Sequence, residues 1–278
     1  MKRTTKIAMA VAGALLVALL AGGAALASAH GHDGFVQRRV SRHIDAALDA
    51  VAATAAQRDA VHAARDHVFA TFAESERGRQ TDLQEALALW ESDTLDPTGL
   101  AALRARHQAA LKKSSDAVVQ ALSDAHDALT APQRRQLADY LRANKAAHAG
   151  KLDKGAQSFA YHMMSERVDD LLAQIHASAA QRDRVHAAAE RAFTAVSDGM
   201  GDHGAAFDQA LTLFTADRLD GAALATMQAA REARMQKLGD AVVQALGEVH
   251  DTLDAGQRKQ VADYVRSHHH GHAQGHGG

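Results

Sequence analysis

The chain has 278 residues, a net charge of -2, 18 histidines and no cysteine. That length allows a sizeable core in one or two domains; the near-neutral charge provides no basic field for nucleic acid, and the missing thiol excludes disulfides and thiolate chemistry. Aromatics make up only 4% and prolines number two, Pro97 and Pro132, in a background rich in alanine, leucine and charge, which is the composition of long helices.

Lys2, Arg3 and Lys6 open the chain ahead of an apolar run from Ile7 to Leu20 and small residues up to Ala29. Ala25-Leu26-Ala27 and Ala27-Ser28-Ala29 both fit a small-x-small cleavage pattern, so 1–29 reads as a secretory signal peptide and the rest as an exported, periplasmic protein. The competing reading retains the segment as an anchor, since Ile7 to Ala27 approaches the roughly 20 residues that span a bilayer. Cleavage after Ala29 leaves His30-Gly31-His32, and cleavage after Ala27 leaves Ser28-Ala29-His30. Either places a histidine third from a free amine, a donor set that can wrap Cu(II) or Ni(II) in a square plane.

From Phe35 onward the chain is a duplication. Phe35 and Phe159, Phe69 and Phe193, Trp90 and Phe214, and Leu129 and Leu253 all stand 124 positions apart. The strings Ala56-Gln57-Arg58-Asp59, Asp116 to Leu122 and Ala138-Asp139-Tyr140 recur at the same offset, and no gap is needed from Phe35 to Tyr140. Such a period marks one folding unit copied end to end.

Each copy reads as four helices, so the fold expected is all-α. Capping boxes, in which a Ser, Thr or Asp cap is answered by a Gln three residues on, stand at Thr54/Gln57 and Ser178/Gln181 before the second helix of each copy. They recur at Thr130/Gln133 and Asp254/Gln257 before the fourth. Pro132 falls in a first turn, where its missing N–H costs little. The third helix keeps Leu100, Leu103, Leu111, Val118, Leu122 and Leu129 on one face, and its copy does so with Leu224, Met227, Met235, Leu238, Val242, Leu246 and Leu253. Glycines between Asp198 and Gly204 predict a kink or short loop in the second helix of the second copy. Residues 30–145 therefore form a first helical unit, 146–158 a linker or frayed helix, 159–267 a second unit, and 268–278 a His/Gly-rich tail.

Candidate metal ligands concentrate in that tail: His268, His269, His270, His272 and His276, imidazoles spaced by flexible glycine and suited to Zn, Cu or Ni. His30 and His32 supply the amino-terminal set. Within the helices, His62 and Asp66, and His186 and Glu190, lie four residues apart on one face, where they can share a metal or form a plain surface pair. His126 and His250 stand where a helix C-terminus would favour them. His162-Met163-Met164 brings soft ligands together, with core methionine the plainer assignment. No nucleophile elbow, phosphate loop or His-Glu-x-x-His pair is present, so no enzymatic activity and no required cofactor are expected.

Leu129-Thr130-x-x-Gln133 and Leu253-Asp254-x-x-Gln257, in an exported cysteine-free helical chain, resemble the LTxxQ-motif family of periplasmic stress proteins, which includes the chaperones Spy and CpxP, the zinc-binding ZraP and the metal sensor CnrX. The resemblance covers about Phe35 to Arg142 and Phe159 to Arg266. The leading motifs depart from it by Ala53-Thr54 and Ala177-Ser178, and Asp254 replaces threonine; each substitute still caps. It implies two Spy/CpxP-like units with long antiparallel helices, in which the repeats pair within one chain as a pseudo-dimer or between chains as a homo-oligomer. It also implies an ATP-independent chaperone for unfolded clients, with Phe69, Phe72, Trp90, Phe193 and Phe214 as apolar contacts or core. The alternative it offers is a heavy-metal sensor or buffer acting on a membrane sensor kinase or other signalling partner.

Overall fold

The computed structural model describes residues 33–149, 154–200 and 203–271. These form nine α-helices and no strand among the described residues. The first repeat contributes α1 (Asp33–Ala50), α2 (Ala55–Glu91), α3 (Pro97–Ala128) and α4 (Ala131–Ala149). The second contributes α5 (Lys154–Gln174), α6 (Ala179–Met200), α7 (His203–Thr215), α8 (Gly221–Thr252) and α9 (Ala255–Gly271). The long second helix of the first repeat is continuous through Gly78, where a Cβ would meet nothing within 4 Å. Its counterpart is described as α6 and α7, and the kink or short loop expected between them falls on residues 201 and 202, outside the described residues.

The four boxes form as capping theory requires. Gln57 N–H donates to Thr54 Oγ1 while Thr54 N–H donates to Gln57 Oε1, and Ser178/Gln181, Thr130/Gln133 and Asp254/Gln257 repeat the exchange. Asp96 and Asp220 cap α3 and α8, each accepting two backbone N–H groups. The ends of α1 and α5 match as well. Ala52 N–H donates to Asp49 O and Ala53 N–H to Leu48 O, and His176 and Ala177 bond to Ala173 and Leu172 in the same pattern. This is a Schellman ending, which requires a left-handed residue, here Ala52 (φ 49°) and His176 (φ 52°) in place of glycine.

The helices assemble into two compact units, and neither unit is one repeat. Unit 1 draws on 33–76, 110–149 and 203–230, and unit 2 on 77–109, 154–200 and 231–271. Each therefore holds most of one repeat plus a helical hairpin from the other. In unit 1 the hairpin of α7 and the start of α8 places Phe207, Leu211, Phe214 and Leu224 in a core with Leu48, Val51, Leu122, Leu129, Leu137 and Leu141. In unit 2 the hairpin of late α2 and early α3 places Leu87 and Trp90 among Leu172, Ile175, Val185, Leu253 and Ala262. The hairpins supply some of the best-buried side chains of the chain: Phe207 is 1% and Phe214 0% exposed.

The units differ in how well α3 and α8 are covered. In unit 1, Ala64 and Val68 of α2 close over Ala117, Val118 and Ala121, with Phe72 packed alongside. Val118 and Leu122 are 3% and 0% exposed, whereas their counterparts Val242 and Leu246 in unit 2 are 37% and 38% exposed. The covering residues explain it: Val68, Phe72, Leu137 and Leu141 are matched in the second repeat by the smaller Ala192, Val196, Val261 and Val265.

An L-residue in the left-handed region carries a steric cost that glycine avoids, partly offset by glycine's freer unfolded chain. Ala52→Gly and His176→Gly are therefore each expected to stabilise the fold by up to about 1 kcal/mol, read as a rise in the urea unfolding midpoint at constant m-value.

Candidate binding sites

The motif glutamines do more than cap. Gln57 Nε2 donates to Gln133 Oε1 (2.8 Å) and to Ala128 O (2.9 Å), and Gln133 Nε2 returns to Gln57 Oε1 (3.0 Å) and reaches Val51 O (3.3 Å). Gln181 and Gln257 form the same reciprocal amide pair in unit 2 and bond to Thr252 O and Ile175 O. Two box residues thus satisfy carbonyls at the ends of two neighbouring helices, which fixes where four helix termini meet.

Beside each node stands a clamp on the incoming hairpin. His126 is buried, its Nε2 donating to Ala216 O (3.0 Å) and its ring edge-on to Phe214. Arg134 donates to Ala216 O (3.0 Å), Leu129 O (2.8 Å) and His126 O (3.2 Å). In unit 2, His250 Nε2 donates to Ser92 O (3.0 Å) and packs edge-on against Trp90, whose indole N–H donates to Arg258 O (3.0 Å). Arg258 donates to Leu253 O (2.8 Å) and lies 3.8 Å from Asp93. The two histidines thus bond carbonyls at the hairpin corner, after the last turns of α7 and α2, rather than those of the helices that carry them. Phe214 and Trp90 are core residues for the same reason, while Phe69, Phe72 and Phe193 are half-buried.

The metal candidates within the helices face other helices. His62 Nε2 lies 3.0 Å from Asp45 of α1 and its Nδ1 2.7 Å from Arg65, which also holds Asp66. His186 Nε2 lies 2.9 Å from Asp169 of α5, and Glu190 is exposed. The equivalent pairs His62/Asp45 and His186/Asp169 tie the first two helices of each repeat, and no group of three or more His, Asp or Glu that could hold a metal forms among the described residues. His30, His32, His272 and His276 lie outside the described residues. His268, His269 and His270 fall on the last turn of α9 with their side chains outside them. Met163 is exposed on α5. No described helix is long and apolar enough to cross a membrane.

Arg134 and Arg258 escape a reading by motif, because a lone arginine after a box looks like any surface charge; their common offset of 124 is the signal that singles them out. Asp45 and Asp169 share that offset too. No family model, curated protein or solved structure matches the chain.

Unit 2 carries one further ion pair of consequence. Arg266 of α9 grips Glu91, at the end of the incoming hairpin, through both guanidinium nitrogens at 2.8 and 2.5 Å. Those hydrogen bonds hold the Glu91 carboxyl below its ordinary range, against a smaller opposing effect of burial. Since the folded-state value is the lower one, the contribution is complete above the ordinary glutamate range and is lost as pH falls through the depressed value. Glu91→Gln should therefore be less stable than the parent at pH 7, and the difference should shrink on acidification, as urea midpoints measured between about pH 7 and 3 would show.

Proposed function

We propose that the chain is an exported, ATP-independent chaperone that holds unfolded or aggregating clients in the periplasm and works by binding rather than catalysis. The reading is carried by the reciprocal glutamine node: the LTxxQ-like boxes, resembling those of the periplasmic stress family, are joined in pairs in both units. The mixed composition of each unit also supports it. The two repeats would act together as an intramolecular pseudo-dimer, each completing the other with a hairpin. Exposed apolar side chains retain a client weakly, and the surrounding charges speed encounter. Among the described residues, the large exposed hydrophobics Met163, Val242 and Leu246 all belong to unit 2.

Light scattering of a reduced, aggregating client is the direct test. An equimolar amount of the signal-free chain is expected to suppress most of the scattering without nucleotide. Unchanged aggregation over a range of ratios would refute the role.

A second reading, compatible with the first, makes the chain a Zn, Cu or Ni sensor or buffer that acts on a signalling partner. The observation favouring it is the five-histidine tail, His268, His269, His270, His272 and His276. Calorimetry with Zn(II) should show binding to the full chain that is lost when residues 268–278 are removed. Binding no tighter than millimolar would retire it.

A further inference from the structure

The duplicated core offers an internal control that separates a docking surface from a merely imperfect interior. Positions 118 and 122 of the first repeat and 242 and 246 of the second carry the same residues, Val and Leu, on the same helix face. In unit 1 they are sealed; in unit 2 they are open. The open pair extends a stripe with the half-buried Met235 and Leu238, at spacings of three and four residues, over roughly 16 Å of helix. Position 238 is Leu where the first repeat has the buried Ser114, so the second repeat adds apolar surface while its cover shrinks. A helix face made more apolar and less covered at once is the pattern of a binding surface, not of a decaying core.

The rim says what the surface suits. At its amino-terminal end the stripe runs into Arg231 and Arg234. Arg231 is held below the ordinary arginine range by burial first and then by the nearby charge of Arg234, with Glu232 acting in the opposite sense. Arg234 is exposed and has no carboxylate partner among the described residues, whereas Arg191 and Glu248 on the far flank already neutralise each other. Net positive charge therefore gathers at one end of an apolar strip, a field that a carboxylate relieves.

We propose that the α8 stripe Met235, Leu238, Val242 and Leu246 of unit 2 is the chain's client site, and that it takes an apolar segment of a non-native polypeptide flanked by acidic residues. This rests on the chaperone reading above and adds to it the location, the number and the chemistry: one site per chain, in unit 2, with unit 1 as its closed counterpart.

The test restores the first repeat's cover to the second. Ala192→Val with Val196→Phe installs the residues that close over Val118, and such cavity-filling changes favour folding, so loss of fold is not the expected outcome. The double variant should hold a reduced client at least about fivefold less well than the parent while its thermal midpoint rises. Leu246→Gln, an exposed change, should weaken holding without that rise. Two fluorescent peptides supply the chemistry: an apolar heptamer flanked by glutamates should bind about tenfold tighter than the same heptamer flanked by lysines, and Arg234→Glu should abolish the difference. If the parent holds the client but both groups of variants hold it equally well, this placement is wrong and the chaperone reading stands. If the parent holds neither client nor peptide, both fall. If sedimentation shows a dimer that Leu246→Gln converts to monomer, the stripe is covered by a second copy and the client assignment is overturned.

Discussion

The structure depends on one burial. The corner of each long hairpin carries an aromatic, Phe214 or Trp90, that is buried in a core shared with the other repeat. Helices of the other repeat complete the enclosure of each, with a buried histidine against its ring and an arginine that bonds backbone carbonyls beside it. Removing so large a side chain from water is worth on the order of 2–3 kcal/mol. The same contact brings polar backbone atoms inside, where each must find a donor. His126, Arg134, His250 and Arg258 are those donors, which is why charged and imidazole groups stand in an otherwise alanine- and leucine-rich interior.

The capping nodes make the burial possible by fixing where helices end. A box glutamine that served only its own cap would leave the end of the neighbouring helix to solvent. By joining Gln57 to Gln133 and Gln181 to Gln257, the chain satisfies caps and neighbouring carbonyls with the same amides. The spacing of the box is a statement about one helix; its use here belongs to four.

Helix content and the box starts were legible in the sequence because they are local: periodicity and caps act within a few residues. The 124-residue period was equally plain. What it could not show was which helices share a core, since an apolar stripe names a buried face and not its partner. His62 shows the same limit at a candidate site. Spacing of four pairs it with Asp66, whereas folding turns it to Asp45 on another helix and gives Asp66 to Arg65. The open stripe on α8 was hidden for the converse reason, because Val242 and Leu246 read like their sealed twins and the difference lies in covering residues on other helices.

The reciprocal hairpins carry an implication for how such a chain can change. When two identical subunits complete each other, any substitution appears twice, and a replacement that opens one half opens both. Joining the partners in one polypeptide lifts that symmetry. Each half can then vary alone: Trp90 opposite Phe214, Val68 opposite Ala192, a closed face opposite an exposed one. One half is free to guard the fold while the other is released to meet the outside world.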